Sequence, residues 1–323
     1  MDANRFIVGI DLGGTYLRVG SISEDGKLLD WQESPLEAAS GPEHGLALIR
    51  ELIDRLVKKT STDGLLGIGI GSTGPIDREQ GCIQNPYTLP TWEDVDILTP
   101  LRDRYQVPVV LENDADAAGL GEYWKGAGQG VSRLVLVTVG TGVGTAFIYQ
   151  GEIYRGIDGV HPEAGHMVID PNGPVCYCGA HGCLESMVSG TAISQIARSR
   201  AAGDYPQVPQ KLIKMAGGHL EDITAEIVAE AALAGDLFGL AIIQEAAYSL
   251  GLGLVNLIVT YLPEKILLAG GVMKSYPLFQ PALIETIARH NVVVPSRSVK
   301  IELAKLGNTA GTIGAAYALK RTL

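Results

Sequence analysis

The chain has 323 residues, enough for two domains that each bury a substantial core. Its formal net charge of −11 argues against general binding to nucleic acid or to a membrane surface, both polyanionic, but not against a small anion held by backbone N–H groups. Hydrophobic residues at 46% and charged residues at 19% give a globular balance without the signature of disorder.

No stretch approaches the apolar run that a bilayer span needs, and "MDANRFIVGID" enters strand-like sequence at once, without a signal peptide. The expected compartment is therefore the cytoplasm, where stable disulfides are rare. The 41 glycines exceed the roughly 7% usual in proteins. They gather in "GIDLGGTYLRVG", "GIGIGSTG", "VGTGVGTAF" and "LAGGV", each with an apolar strand-like run. Such turns suit a ligand lying against main chain, and together they suggest a protein that handles phosphate.

In chain order, 6–11 and 16–23 read as strands joined at "LGGT", and 26–35 continues their sheet. A helix is predicted over 42–59, where Leu46, Ile49, Leu52, Ile53 and Leu56 recur at helical spacing. Segments 65–77 and 107–113 read as strands, the first with its loop, and 114–128 as a helix with Asn113 or Asp114 near its N-terminus. The run 133–154 again reads strand, glycine turn, strand, then a further turn and strand, either a weak internal repeat of the beginning or the common look of glycine-linked hairpins. Helices follow at 187–203, 224–236 and 237–262, the last stopped by Pro263. A strand and turn at 265–272, a helix at 281–293, a strand at 299–306 and a closing helix at 309–323 complete the chain. Strands alternating with helices make this an α/β protein.

Four stretches carry chemistry. "HMVIDPNGPVCYCGAHGCLE" (166–185) concentrates three of the four cysteines with two histidines. One nitrogen and three sulfurs from Cys176, Cys178 and Cys183 form the soft set that tetrahedral structural Zn²⁺ prefers, with His166 or His181 as the nitrogen ligand and free loop thiols as the plain alternative. In "ENDAD", Asp114 stands where a strand turns into a helix, so the helix dipole keeps it ionised and fit to act as a general base. A simple helix cap by Asn113 or Asp114 is the alternative. "DLGGT" and "GTGVG" read as two phosphate loops, without the Gly-Lys-Ser/Thr ending of a Walker loop.

"DLGGT" (11–15), "LENDADAA" (111–118), "GTGVG" (140–144), "PEAGH" (162–166), "CYCGAHGCLE" (176–185) and "LAGGV" (268–272) occur in one order along nearly the full length. Together they resemble the ROK family of sugar kinases, within the cluster and "PNGP" most closely its bacterial and archaeal ATP-dependent glucokinases. The resemblance implies the actin-like ATPase (ribonuclease H-like) fold, two α/β domains with a cleft between them. The expected limits are 1–118 with the C-terminal helix 309–323, and 119–308 with the zinc-binding loop. It implies ATP and a hexose, glucose first among them, phosphorylated at its 6-hydroxyl, as substrates, and a homodimer or higher homo-oligomer.

By the same resemblance Asp114 is the catalytic base, Asn113, Glu163, His166 and Glu185 contact sugar hydroxyls, and His166 rather than His181 joins the three cysteines. Asp11 would hold Mg²⁺ through water, while Gly13, Gly14, Thr15, Gly140, Thr141 and Gly142 would cradle phosphates and Gly270 and Gly271 admit the adenine. Asp116 is read as structural. Two departures stand out: "HPEAGH" replaces the glucokinase form and leans to ROK fructokinases, and Thr145 and Ala146 stand where further glycines usually follow "GTGVG". A fructokinase or mannokinase and an N-acetylhexosamine kinase are the rival kinases. The family's transcriptional repressors are the rival class, disfavoured by acidic charge and the five residues before the first strand, too few for a DNA-binding head.

Overall fold

Phe6, Val8, Ile10 and Leu12 alternate with Ile7 along the first strand, and the two sets enter apolar clusters on opposite faces of a sheet. A sheet buried on both faces needs strands that are apolar throughout, which explains the unbroken runs in "FIVGIDL" and "LLGIGIGS". The computed structural model describes residues 5–60, 64–86, 88–203, 210–290, 294 and 298–323.

The elements are β1 Phe6–Leu12, β2 Tyr16–Ser23, β3 Leu28–Pro35, α1 Pro42–Thr60, β4 Leu65–Ser72, three short strands β5 Ile76–Asp77, β6 Cys82–Ile83 and β7 Val95–Asp96, α2 Thr99–Tyr105, β8 Val109–Asn113 and α3 Asp114–Lys125. They continue with β9 Arg133–Val139, β10 Val143–Tyr149, β11 Glu152–Ile153, α4 Leu184–Val188, α5 Gly190–Ala202, α6 Gln210–Met215, α7 Ala225–Leu233, α8 Leu237–Tyr261, β12 Lys265–Ala269, α9 Tyr276–His290, β13 Lys300–Leu303 and α10 Ala310–Lys320. The expected helix at 281–293 begins earlier, at Tyr276, and its last three positions lie outside the described residues.

The two five-stranded sheets have the orders β3-β2-β1-β4-β8 and β11-β10-β9-β12-β13. Each sets a β-hairpin beside a central strand and follows it with strands from later in the chain, so the repeat suspected in the sequence exists as shared topology. β5, β6 and β7 form a separate small sheet that two-residue strands could not announce.

The chain divides into one compact unit of 1–134, 146–161 and 304–323 and another of 135–145 and 162–303. These limits differ from the sequence-based 1–118 with 309–323 and 119–308. Helix α3 stays whole in the first unit because α10 packs directly against it: a Cβ added at Gly314 would lie 1.6 Å from the Ala117 carbonyl oxygen, and one at Gly121 2.2 Å from that of Ala310. Gly314→Ala is therefore expected to destabilise the protein by roughly 1–3 kcal/mol or more, read as a lower urea midpoint. An unchanged midpoint would show that the helices yield freely.

α8 corrects one expectation. At 25 residues it is long and apolar enough to match a membrane span, but it is mostly buried inside the second unit, where Ile242, Ala246, Leu250, Leu254 and Ile258 are enclosed. Its length is that of a core helix, ended by Leu262 in the left-handed conformation just before Pro263.

Candidate functional site

In the first unit, the parallel strands β1, β4 and β8 run in register, with Leu12 beside Ser72 and Ser72 beside Asn113. Their carboxyl ends therefore finish together, and the loops after them emerge at one sheet edge, the usual ligand-binding edge of α/β folds. Asp11, Gly13, Gly14, Thr15, Asn113 and Asp114 all lie at or just past this edge. Asn113 is the N-cap of α3: its Oδ1 accepts from the N–H of Ala115 at 2.8 Å and of Asp116 at 3.3 Å. The cap uses the amide oxygen of Asn113 alone. Asp114, half-buried at the first helical position, sits where the dipole favours a negative charge.

Arg18, opposite Asp11 on β2, donates Nη1 to Asp11 Oδ2 at 3.1 Å and Nε to Glu33 at 2.6 Å. Burial raises the Asp11 carboxyl above its ordinary value against the opposing pull of Arg18. A single partly enclosed carboxylate fits Mg²⁺, which keeps most of its waters and takes few protein ligands. Asn85, buried, donates to Thr73 Oγ1 at 3.3 Å and bonds Thr88, bracing the loop after β4. Sequence reading missed Arg18 and Asn85, because an arginine on a strand and an asparagine before a proline look like surface and turn.

In the second unit, the loop Gly140–Gly142 follows β9, and Gly140 and Thr141 carbonyls accept from Gly190 N at 2.8 Å and Thr191 Oγ1 at 2.8 Å at the start of α5. Gly270 adopts φ +93°, and a Cβ there would lie 2.3 Å from the Val139 carbonyl oxygen, so the turn after β12 must be glycine. Gly140, Thr141 and Gly271 line a cavity of about 700 Å³ together with Thr191, Arg198 and Lys274, which were not foreseen. Its size is that of a small-molecule site.

Thr145, the departure from the glycine pattern, is fully buried; its hydroxyl donates to Pro162 O at 3.0 Å and accepts from Ala164 N at 3.2 Å. It anchors the "PEAG" turn. Glu185 ties the same region: its Oε2 accepts from Val143 N at 2.8 Å.

The ligand atoms of His166, Cys176, Cys178 and Cys183 all lie within 4.8 Å of one another. Cys176 Sγ is 3.5 Å from His166 Nδ1, and Cys178 Sγ is 3.6 Å from Cys183 Sγ. A tetrahedral ion with bonds of about 2.0 Å to nitrogen and 2.3 Å to sulfur sets its ligand atoms roughly 3.5–3.8 Å apart, so the set fits zinc. Burial raises the Cys176 thiol and pushes Cys183 up to about 12, so holding them as thiolates calls for a cation at the centre. His181 is exposed and pairs with Val175 in a β-bridge outside this set.

With Nδ1 turned to the thiols, His166 Nε2 faces the Tyr177 hydroxyl at 3.0 Å. Burial raises the Tyr177 phenol, and the charges of Glu185 and Glu163 raise it further, which shows that both carboxylates act on this point. Glu163 and Glu185 thus lie within electrostatic reach of Tyr177, which bonds His166.

Comparison with known proteins agrees. The ROK family description matches residues 7–322. A glucokinase of Thermotoga maritima is 34% identical over 319 residues, 98% of each chain. A xylose repressor of Caldicellulosiruptor bescii is 30% identical over 95% of this chain and 76% of its own. The crystal structure of a ROK family glucokinase from Streptomyces griseus in complex with glucose and AMPPNP superimposes with a TM-score of 0.81 at 30% identity, covering 98% of this chain and all of that one. A family match across residues 7–322, with relatives of this identity along the full length, means that this chain belongs to the ROK family.

Proposed function

We propose that the protein is an ATP-dependent sugar kinase that transfers the γ-phosphate of ATP to the 6-hydroxyl of glucose. The observation that carries this reading is Asp114, held at the start of α3 by a cap that Asn113 makes with its oxygen alone. Asn113 Nδ2 donates to the sugar, and Asp114 accepts the 6-hydroxyl proton as that oxygen attacks phosphorus. The new O–P bond forms while the bond to the ADP oxygen breaks, and ADP leaves.

Glu163, Glu185 and His166 Nε2 take the remaining sugar hydroxyls. His166, Cys176, Cys178 and Cys183 would hold zinc with four protein ligands, and the ion would then fix the His166 ring. The nucleotide occupies the cavity beside Gly140, Thr141 and Gly271, whose exposed main chain suits phosphates. Mg²⁺, held through water by Asp11, supplies charge neutralisation on the phosphates when bound. The working form is a homodimer or higher homo-oligomer, as its family resemblance implies.

The test is ADP release measured against glucose, mannose, fructose, N-acetylglucosamine and N-acetylmannosamine at equal concentrations. Glucose is expected to give the highest kcat/KM. Preference for fructose would assign the "HPEAGH" departure to specificity, and no ADP release with any sugar would favour the repressor-like reading.

A further inference from the structure

Glu112 and Asp116 flank the Asn113–Asp114 pair, and both are buried, with side chains 5% and 0% exposed. Two buried carboxylates four residues apart are costly unless they are paired. Arg155, from the segment just after β11, supplies the pairing: Nη2 donates to Glu112 Oε2 at 2.7 Å and Nη1 to Asp116 Oδ2 at 3.3 Å. The planar guanidinium thus spans from the last turn of strand to the first turn of helix, across the two residues that serve the sugar. Arg78 Nε holds the other Glu112 oxygen at 3.1 Å.

The free edge of Asp116 meets a histidine. Asp116 Oδ1 lies 3.6 Å from His161 Nδ1, and both atoms are shielded from solvent. At 3.6 Å, beyond hydrogen-bond distance, a carboxylate oxygen and an unprotonated ring nitrogen are two acceptors facing each other, so the pair is favourable only with a proton on one of them.

We propose that Arg155 is a positioning residue for phosphoryl transfer, clamping Glu112 to Asp116 so that Asn113 and Asp114 hold their orientation, and that a proton carried by the buried Asp116–His161 pair keeps the clamp closed. The inference rests on Asp114 as the base. The charged groups facing Asp116 are Glu112 from β8 and Arg155 and His161 from the 155–161 segment, with Arg78 behind Glu112. Among the elements packed on α3, β4 carries no ionisable side chain, and α10 carries Tyr317 and Lys320 only in its last turns.

Burial raises Asp116 to about 7, with Glu112 adding to the rise and His161 and Arg155 opposing it. Below that pH the proton is in place; above it two acceptors face each other and the clamp loosens. Because the folded protein holds this proton more tightly than the unfolded chain, the group's contribution to stability is also lost as pH rises through about 7. Turnover is therefore expected to show a limb that falls on the alkaline side of neutrality.

The experiment measures kcat, KM for glucose and ATP, thermal midpoint and pH profile for Arg155→Lys, Arg155→Met and Asp116→Asn, with Asp114→Ala in parallel. Arg155→Met is expected to lower kcat about 10²-fold with ATP KM within a factor of about two, the size of effect that slight misplacement produces. Lysine, a point charge that cannot fork between two carboxylates, should recover only part of this, leaving a deficit on the order of tenfold. Asp116→Asn carries a permanent N–H donor toward His161, so its alkaline limb should move up by about one pH unit or more.

If Arg155→Met does not fold, Arg155→Lys and the Asp116→Asn profile decide the matter. Wild-type kcat in a folded Arg155→Lys, or an Asp116→Asn profile superimposable on wild type, overturns the proposal. An active Asp114→Ala variant would instead overturn the assignment of the base, whatever the Arg155 variants do.

Discussion

Asp114→Ala is expected to lower kcat for glucose by about 10³-fold or more, at the upper range of general-base effects, with glucose binding kept within a few-fold. The fold should survive the change. Asp114 is only half-buried, alanine is a good residue for the first helical position, and the bonds from Asn113 Oδ1 that start α3 remain. Its own bond to Ala115 N, 2.8 Å, is lost, but Asn113 already serves that donor. Asn113→Ala is a poorer probe, because it removes a cap worth about 1 kcal/mol together with the sugar contact. Asp114→Asn, which keeps shape but not basicity, should be nearly as slow as the alanine variant. Single-turnover kinetics with isothermal titration of glucose checks this, and near-normal turnover in either variant would end Asp114's candidacy.

The features legible in sequence were those whose partners are near in the chain or whose backbone geometry demands one residue type. Asn113 as cap, the glycine turn at 270 and the Cys176–Cys178–Cys183 spacing are of this kind. The choice of His166 over His181 was left to resemblance in sequence, and the structure groups His166 with the thiols through the bridge between Val168 and Cys183.

What escaped were polar contacts made across long separations. Arg155 reads as a surface residue, yet its partners Glu112 and Asp116 lie 43 and 39 positions away. The same holds for Thr145, which looked like a flaw in a phosphate loop and proved to be the anchor of residues 162–164. The unit limits were missed for a related reason. Segment 146–161 includes the end of β10 and all of β11, strands of the second sheet, but belongs with the first unit, where Arg155 and His161 find their acids.

Cys178→Ser is expected to lower the thermal midpoint by about 10 °C or more and to raise the glucose KM on the order of tenfold, while leaving the ATP KM close to wild type. Cys178 is the informative ligand because it is exposed: serine there loses no packing, so a loss of stability must come from the coordination set. Cys183, fully buried, would confound the two effects. Without the ion, the His166 ring is left to the 3.5 Å contact of Nδ1 with Cys176 and the 3.0 Å bond of Nε2 with Tyr177, a weaker hold on its orientation toward the proposed sugar. Residues 166–185 then lose the tie that fixes Glu185 and, through it, Val143 N. Dialysis against a strong chelator should reproduce the variant, and added Zn²⁺ should restore the wild type but not Cys178→Ser. Elemental analysis alongside the kinetics closes the test: a chain free of zinc with unchanged midpoint and glucose KM would remove the metal from the account and leave His166 held by protein contacts alone.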